Sequence, residues 1–429
     1  MKREARLIVP KPDDVPVTPA LPGSPAASSP LSRRAVVKAV AGAAGFALGA
    51  PFVNLGRFAL HARGPGGSRR GRLDSAPAQE YSARCIDLVT GSLVIDMLSP
   101  LAISRSVQER WGPGLWGMTE REEQDFRDSE IDVFHIGVGI GGRDFDDQYH
   151  NTLMFVSRYN SLIAERPDLF VRVDSVEDLA SVHGSGRAGI LIGTQTSSHF
   201  RRPDDVNAFH ALGQRVSQLT YNSRNLIGNG ATERIDGGIS DFGVAIVERM
   251  NEVGMVVDVS HSGDRTTLDA CEISSRPVLF THSNSRVLSG GHPRTKTDEA
   301  IRAMGATGGV MGITGVRMFV KDREPTTIED YIDHFDHVRD LIGVEHLGVG
   351  SDIDLWGYDD MPEDEYEALK SGYKDSYAFR EKIDIEGVDH PKRMFDLAEA
   401  LIRRGYADEH IRGILGGNFQ RVLGEIWTV

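Results

Sequence analysis

The chain has 429 residues, 40% of them apolar and 26% charged, with a formal net charge of −14. Residues 1–72 hold 12 Lys/Arg against 3 Asp/Glu, so the rest of the chain carries −23. An acidic body argues against nucleic acid or anionic membrane surfaces as the main partner. Two cysteines, Cys85 and Cys271, exclude a disulfide framework; two free thiols are expected, with a single bridge as the alternative.

The N-terminal stretch reads as an address. "KPDDVPVTPALPGSPAASSP" is rich in Pro, Ser and Ala without a period, so residues 1–31 are expected to be disordered. At 32–50 a paired Arg33-Arg34 precedes a weakly apolar Ala/Gly-rich run, the pattern of a twin-arginine export signal. The run is too short and small-sided for a stable membrane span. No clean A-x-A site follows, so both cleavage and retention as a membrane tether stay open, and 51–79 reads as a flexible basic linker.

From residue 80 to 429 one pattern repeats: an apolar run, a polar end, then a helical stretch. The runs fall at 92–96, 131–139, 188–195, 215–222, 255–261, 277–283, 308–315 and 346–352. Near-continuous apolar strands imply burial on both faces, the condition of a parallel sheet. Between them, Asp241 is expected to cap a helix that stops at Gly254. Ile328, Ile332, Phe335, Val338 and Ile342 recur at helical spacing, leaving His334 and His337 on the solvated side. Eight such units in one chain predict an α/β fold, a (β/α)₈ barrel. A doubly wound sheet is the alternative, disfavoured because no G-x-G-x-x-G follows the first run.

Catalytic groups of such a barrel sit at the C-terminal strand ends. There the sequence presents Asp96, Gln195, Tyr221, His261, His282 and Asp352. "VVDVSHSG" and "VLFTHSNS" end successive runs in the same signature, which sets His261 and His282 side by side. Two imidazoles converging with a carboxylate suit a zinc-like divalent metal. His135 lies inside its run and reads as a core or supporting group; His199 and His210 have no assignment. The acidic, aromatic segment after the eighth run is expected either to shape the pocket, with Trp356 and Tyr358 nearest, or to be a solvated excursion or subunit contact. Trp111 and Trp116 overhang the same face. No S-x-x-K, G-x-S-x-G or Cys/His pairing supports nucleophilic catalysis.

Three segments carry a family resemblance. "MNEVGMVVDVSHSGDRTTLDACEISSRPVLFTHSNSRVLSGGHPR", "YIDHFDHVRDLIGVEHLGVGSDID" and the closing "GGNFQRVLGEIW" resemble the membrane (renal-type) dipeptidases, peptidase family M19, over roughly residues 85–429. The resemblance implies a metal-dependent barrel hydrolase that cleaves dipeptides at a two-zinc centre, and a homodimer. It implies metal ligation by His261 and His282. It gives Asp352 a metal-binding and proton-handling role, and Arg294, offset by one residue, the substrate's carboxylate.

Four positions, in three motifs, depart from the family pattern. D-x-H-x-D at the first run reads "DMLSP", keeping Asp96 but placing Leu98 and Pro100 at ligand positions. The bridging glutamate is Gln195, and a substrate-contacting histidine is Tyr221. Leucine and proline side chains cannot bind a metal, and an amide bridges two cations poorly. The expected metal set is therefore His261 and His282 with Gln195 and Asp96, holding one zinc in preference to two. Asp352 is the expected acid/base, with Arg294 and Tyr221 on the substrate. The expected function is hydrolysis of a dipeptide or related small amide by a metal-activated water. The alternative is a barrel that has lost hydrolysis and kept a binding pocket. What fills the space left by Leu98 and Pro100 separates the two.

Overall fold

The computed structural model describes residues 60–61, 78–79, 81–112, 114–359 and 361–428. The export signal and leader expected at 1–50, and all but four residues of the 51–79 linker, lie outside the described residues. Residues 60–61 and 78–79 form a short antiparallel pair.

All eight expected strands are present, and a ninth joins them. In chain order they are β1 (Ile95–Asp96), β2 (Val133–Ile136), β3 (Phe170–Arg172), β4 (Ala188–Thr194), β5 (Gln214–Gln218), β6 (Val256–Asp258), β7 (Val278–Ser283), β8 (Met311–Ile313) and β9 (Leu347–Val349). Every pairing among them is parallel. The order β2-β1-β9-β8-β7-β6-β5-β4 closes on itself through β2–β4, where Val133 pairs with Gly189 and Ile136 with Ile192. β3, which the apolar runs did not announce, pairs only with the start of β4, outside the ring of eight. The chain is thus an eight-stranded α/β barrel.

The two-faced burial that makes these strands apolar throughout is visible in β4 and β7, where every residue is buried. One set of side chains, including Phe134, Ile136, Ile190, Val257, Phe280 and Ile313, packs with the surrounding helices. The other set, including Val133, Leu191, Val216, Val256 and Leu279, packs with Phe419, Val422, Leu423 and Ile426 of the C-terminal helix Asn418–Ile426. Gly348 has to be glycine, because a Cβ there would collide with the Phe419 ring. Burying a phenylalanine such as Phe419 contributes about 3 kcal/mol in the area estimate.

Two local expectations are corrected. The helix Asp241–Val253 does stop at Gly254 in left-handed conformation (φ 75°), but its cap is Ser240, whose Oγ accepts from the Gly243 N–H. His334 is fully buried rather than solvated. Its Nδ1 accepts from the Ser285 N–H at 3.1 Å and its Nε2 donates to the Val320 carbonyl at 2.9 Å, tying helix Ile328–Ile342 to the loop after β7. His337 is half-buried against Asp298. Cys85 and Cys271 are free thiols. Among the described residues no helix is long and apolar enough to cross a membrane.

Candidate active site

β6 and β7 are neighbours in register, so the residues just past Asp258 and at the end of β7 meet above the barrel. Asp258 locks them together. Its Oδ1 accepts from the Ser260 N–H (2.9 Å) and hydroxyl (2.6 Å), and its Oδ2 from the Thr281 hydroxyl (2.7 Å). The Ser260 hydroxyl in turn receives the His282 N–H at 3.1 Å. The Thr281 hydroxyl donates to Asp258, so its oxygen accepts from His282 Nδ1 at 2.9 Å. His261 Nδ1 lies 2.8 Å from Asn222 Oδ1, which can only accept.

Those partners assign the tautomers. Both imidazoles carry their proton on Nδ1, so both Nε2 atoms are lone pairs, and they point at each other across 3.0 Å. Burial first, and then the Arg294 cation, push both pKa values well below the ordinary histidine range, keeping the rings neutral. Two facing acceptors repel unless a cation lies between them. The donor chemistry of this pair therefore fits a single divalent ion.

A second metal does not fit. Leu98 is fully buried, with Cδ1 2.8 Å from where a Gly137 Cβ would sit, so hydrocarbon occupies the space the family gives to ligands. Among the described residues no group of three or more His, Cys, Asp or Glu is arranged to hold a metal, at the His261–His282 pair or elsewhere, so that pair offers two protein ligands and no more. Asp96, expected as a ligand, has both oxygens engaged. Oδ2 accepts from Arg393 Nη2 (2.9 Å) and Nε (3.3 Å), and Oδ1 from the Ser351 (2.9 Å) and Leu98 (3.3 Å) N–H groups. Gln195 donates Nε2 to the Gly137 carbonyl at 3.0 Å, which leaves Oε1 as the atom it can offer to the site.

Asp352 stands three residues past β9 with φ 60°, a conformation that costs a non-glycine residue about 1–3 kcal/mol and collects at functional positions. The Leu98 carbonyl holds its N–H at 2.8 Å. Burial pushes its carboxyl up to about 7, with Arg294 pulling the other way and Asp96 adding to the rise. Arg294 is wholly buried; it donates Nη2 to the His282 carbonyl at 2.8 Å and Nη1 to the Ser283 hydroxyl at 3.2 Å and the Ser260 carbonyl. Its Nε has no partner, and no carboxylate lies within ion-pair distance among the described residues. Tyr221 stacks on the His261 ring, with centroids 4.3 Å apart.

The sequence reading missed Asp258, Asn222 and Lys296. Lys296 is buried, with Nζ donating to the Val259 (2.7 Å) and Ser262 (2.8 Å) carbonyls, one on each side of His261. Desolvation brings its ammonium down to about 7. The one signal for Asp258 was an acidic residue inside an otherwise apolar run. Among the aromatic expectations, Trp356 does not reach the site: it packs on Trp111 (5.8 Å) and Phe126 (5.9 Å) and donates to Asp125 at 3.0 Å. Trp116 is 70% exposed. His135 is a core group, as expected, with Nδ1 2.5 Å from the Met97 carbonyl. His199 is buried against Gln214.

A parallel barrel with paired neutral imidazoles, a carboxyl and a buried guanidinium at one mouth belongs to the metal-dependent barrel hydrolases. The chain is a member of the membrane dipeptidase family, peptidase family M19, whose model matches residues 103–369. It is 30% identical over 290 residues to the dipeptidase verJ of Clonostachys rogersoniana, covering 66% of this chain and 68% of that protein. It is 28% identical over 346 residues to the dipeptidase tcpJ of Claviceps purpurea, covering 78% and 71%. Among solved structures, an amidohydrolase from Pseudomonas aeruginosa superposes with a TM-score of 0.68 at 30% identity, covering 80% of this chain and 99% of that one.

Proposed function

We propose that this protein hydrolyses a dipeptide or related small amide with the help of one divalent ion, zinc by family preference, at the His261–His282 pair. The observation that carries this reading is the convergence of two Nε2 lone pairs at 3.0 Å, each fixed by an acceptor on the opposite nitrogen. A cation held there by His261 and His282 would supply Lewis acidity for the scissile carbonyl and for a water. The protein's own groups do the rest. Arg294 binds and orients the substrate's carboxylate, a task suited to a guanidinium without a counter-ion. Asp352, whose carboxyl makes no hydrogen bond among the described residues and faces the pair, takes a proton from the attacking water and returns it to the leaving nitrogen. Tyr221 and Gln195 line the pocket.

The test is initial-rate hydrolysis of a dipeptide and N-acyl amino acid panel by zinc-loaded protein beside its Asp352→Asn variant. Cleavage reduced by about 10²-fold or more in the variant supports the reading. No cleavage of any amide by loaded protein leaves the binding barrel.

We also propose that Arg33-Arg34 directs export and that the protein forms a homodimer. Support is the sequence pattern for the first and the family for the second. Cell fractionation with Arg33→Lys/Arg34→Lys, and the mass of the exported species in solution, decide them.

A further inference from the structure

We propose that the substrate is an N-acylated amino acid, with a free carboxylate at one end and an uncharged acyl group at the other, in preference to a dipeptide with a free α-ammonium. The proposal rests on the hydrolytic reading above and narrows its substrate class.

The two ends of the site are unequal in charge. Arg294 presents a buried cation bound only to carbonyl and hydroxyl oxygens, with Nε unpartnered. A carboxylate satisfies it. A free dipeptide also brings an ammonium, and burying one requires an anion or several well-placed acceptors. The carboxylates near the mouth are already engaged. Asp96 is held by Arg393, and Asp258 by Ser260 and Thr281. Asp354 takes the N–H groups of Ile103, Trp356 and Gly357, and Asp384 those of Tyr358 and Asp359. Only Asp352 faces the site without such partners among the described residues, and it is the group that must carry the proton.

The wall between the two ends is aromatic. From His261 it runs to Tyr221 (4.3 Å between ring centroids), Tyr373 (6.4 Å) and Tyr377 (4.5 Å), then to Phe319 (5.5 Å), whose ring lies 5.5 Å from the Arg294 guanidinium carbon. The Tyr221 and Tyr373 hydroxyls are 2.5 Å apart and bond to each other. The wall therefore offers ring faces more than free acceptors, and no anion for an ammonium. The reaction balances without a co-reactant. Water's oxygen bonds to the acyl carbon as the C–N bond breaks, and the proton ends on the amino acid's nitrogen.

The experiment compares two ligands that differ only in the ammonium, 3-phenylpropanoyl-alanine and Phe-Ala. Each is made hydrolysis-resistant by replacing the scissile NH with CH₂, and binding to the zinc-loaded protein is measured by calorimetry. The des-amino ligand is expected to bind about tenfold tighter or better, and capping its carboxylate as the carboxamide to remove most of that affinity. Equal affinity, or tighter binding of the ammonium form, overturns the proposal. So does undiminished binding of the carboxamide. Because the readout is binding, failure to cleave either parent amide counts against the hydrolytic reading while this comparison still decides the substrate class.

Discussion

Asp96→Asn separates a structural role from a ligand role at the position where the family's first metal motif begins. Asp96 and Arg393 are both fully buried and 2.9 Å apart, and the same carboxylate anchors the N–H groups of Ser351 and Leu98. Asparagine keeps an oxygen for those N–H groups but removes the charge opposite Arg393, whose other partners are the Ser99 hydroxyl and the Asp354 carbonyl. Leaving one member of a buried pair uncompensated costs about 3–5 kcal/mol. For a folded body of about 350 residues that lowers Tm by about 4–7 °C. Urea and thermal unfolding of the metal-loaded protein read the loss, and metal analysis of the folded variant is expected to match the parent. The double variant Asp96→Asn/Arg393→Met removes the stranded cation and is expected to recover part of the stability. An Asp96→Asn protein with the parent's Tm but less metal would refute the reasoning and restore Asp96 as a ligand.

Other outcomes follow from the same geometry. In metal-free protein the raised Asp352 pKa favours the folded state most below about pH 4, and that contribution is lost as pH climbs to about 7. Asp352→Asn is therefore expected to be more stable than the parent by about 2–4 kcal/mol at pH 8 and to lose that advantage near pH 4, as measured by urea titrations at both values. Lys296→Met releases the carbonyls flanking His261 and is expected to weaken zinc binding about tenfold in competition with a chelator, with the far-ultraviolet spectrum unchanged. Gly348→Ala drives a methyl into the Phe419 ring and is expected to cost about 1–3 kcal/mol in urea unfolding.

The barrel was legible because its strands are buried on both faces and so read as unbroken apolar runs. The candidate site was legible where its groups sit at or just past strand ends, as at His261, His282 and Asp352. Contacts between distant parts of the chain were not. Arg393 lies 297 residues from Asp96, and nothing local to either marks the pair. The spacing of the helix Ile328–Ile342 put His334 outside its apolar stripe, yet the loop after β7 folds over it and buries it with both nitrogens bonded. β3 escaped notice because three residues with one exposed end give no period to read. The wall of Tyr221, Tyr373, Tyr377 and Phe319 joins three separate stretches of the chain, so its rings meet only in the folded protein.

The central claim is that this barrel holds one metal ion, at His261 and His282. It is tested most directly by metal content of the purified protein after zinc loading, beside a His261→Ala/His282→Ala variant. One equivalent in the parent and none in the variant is the predicted result. Two equivalents in the parent, or one that survives loss of both histidines, would contradict it.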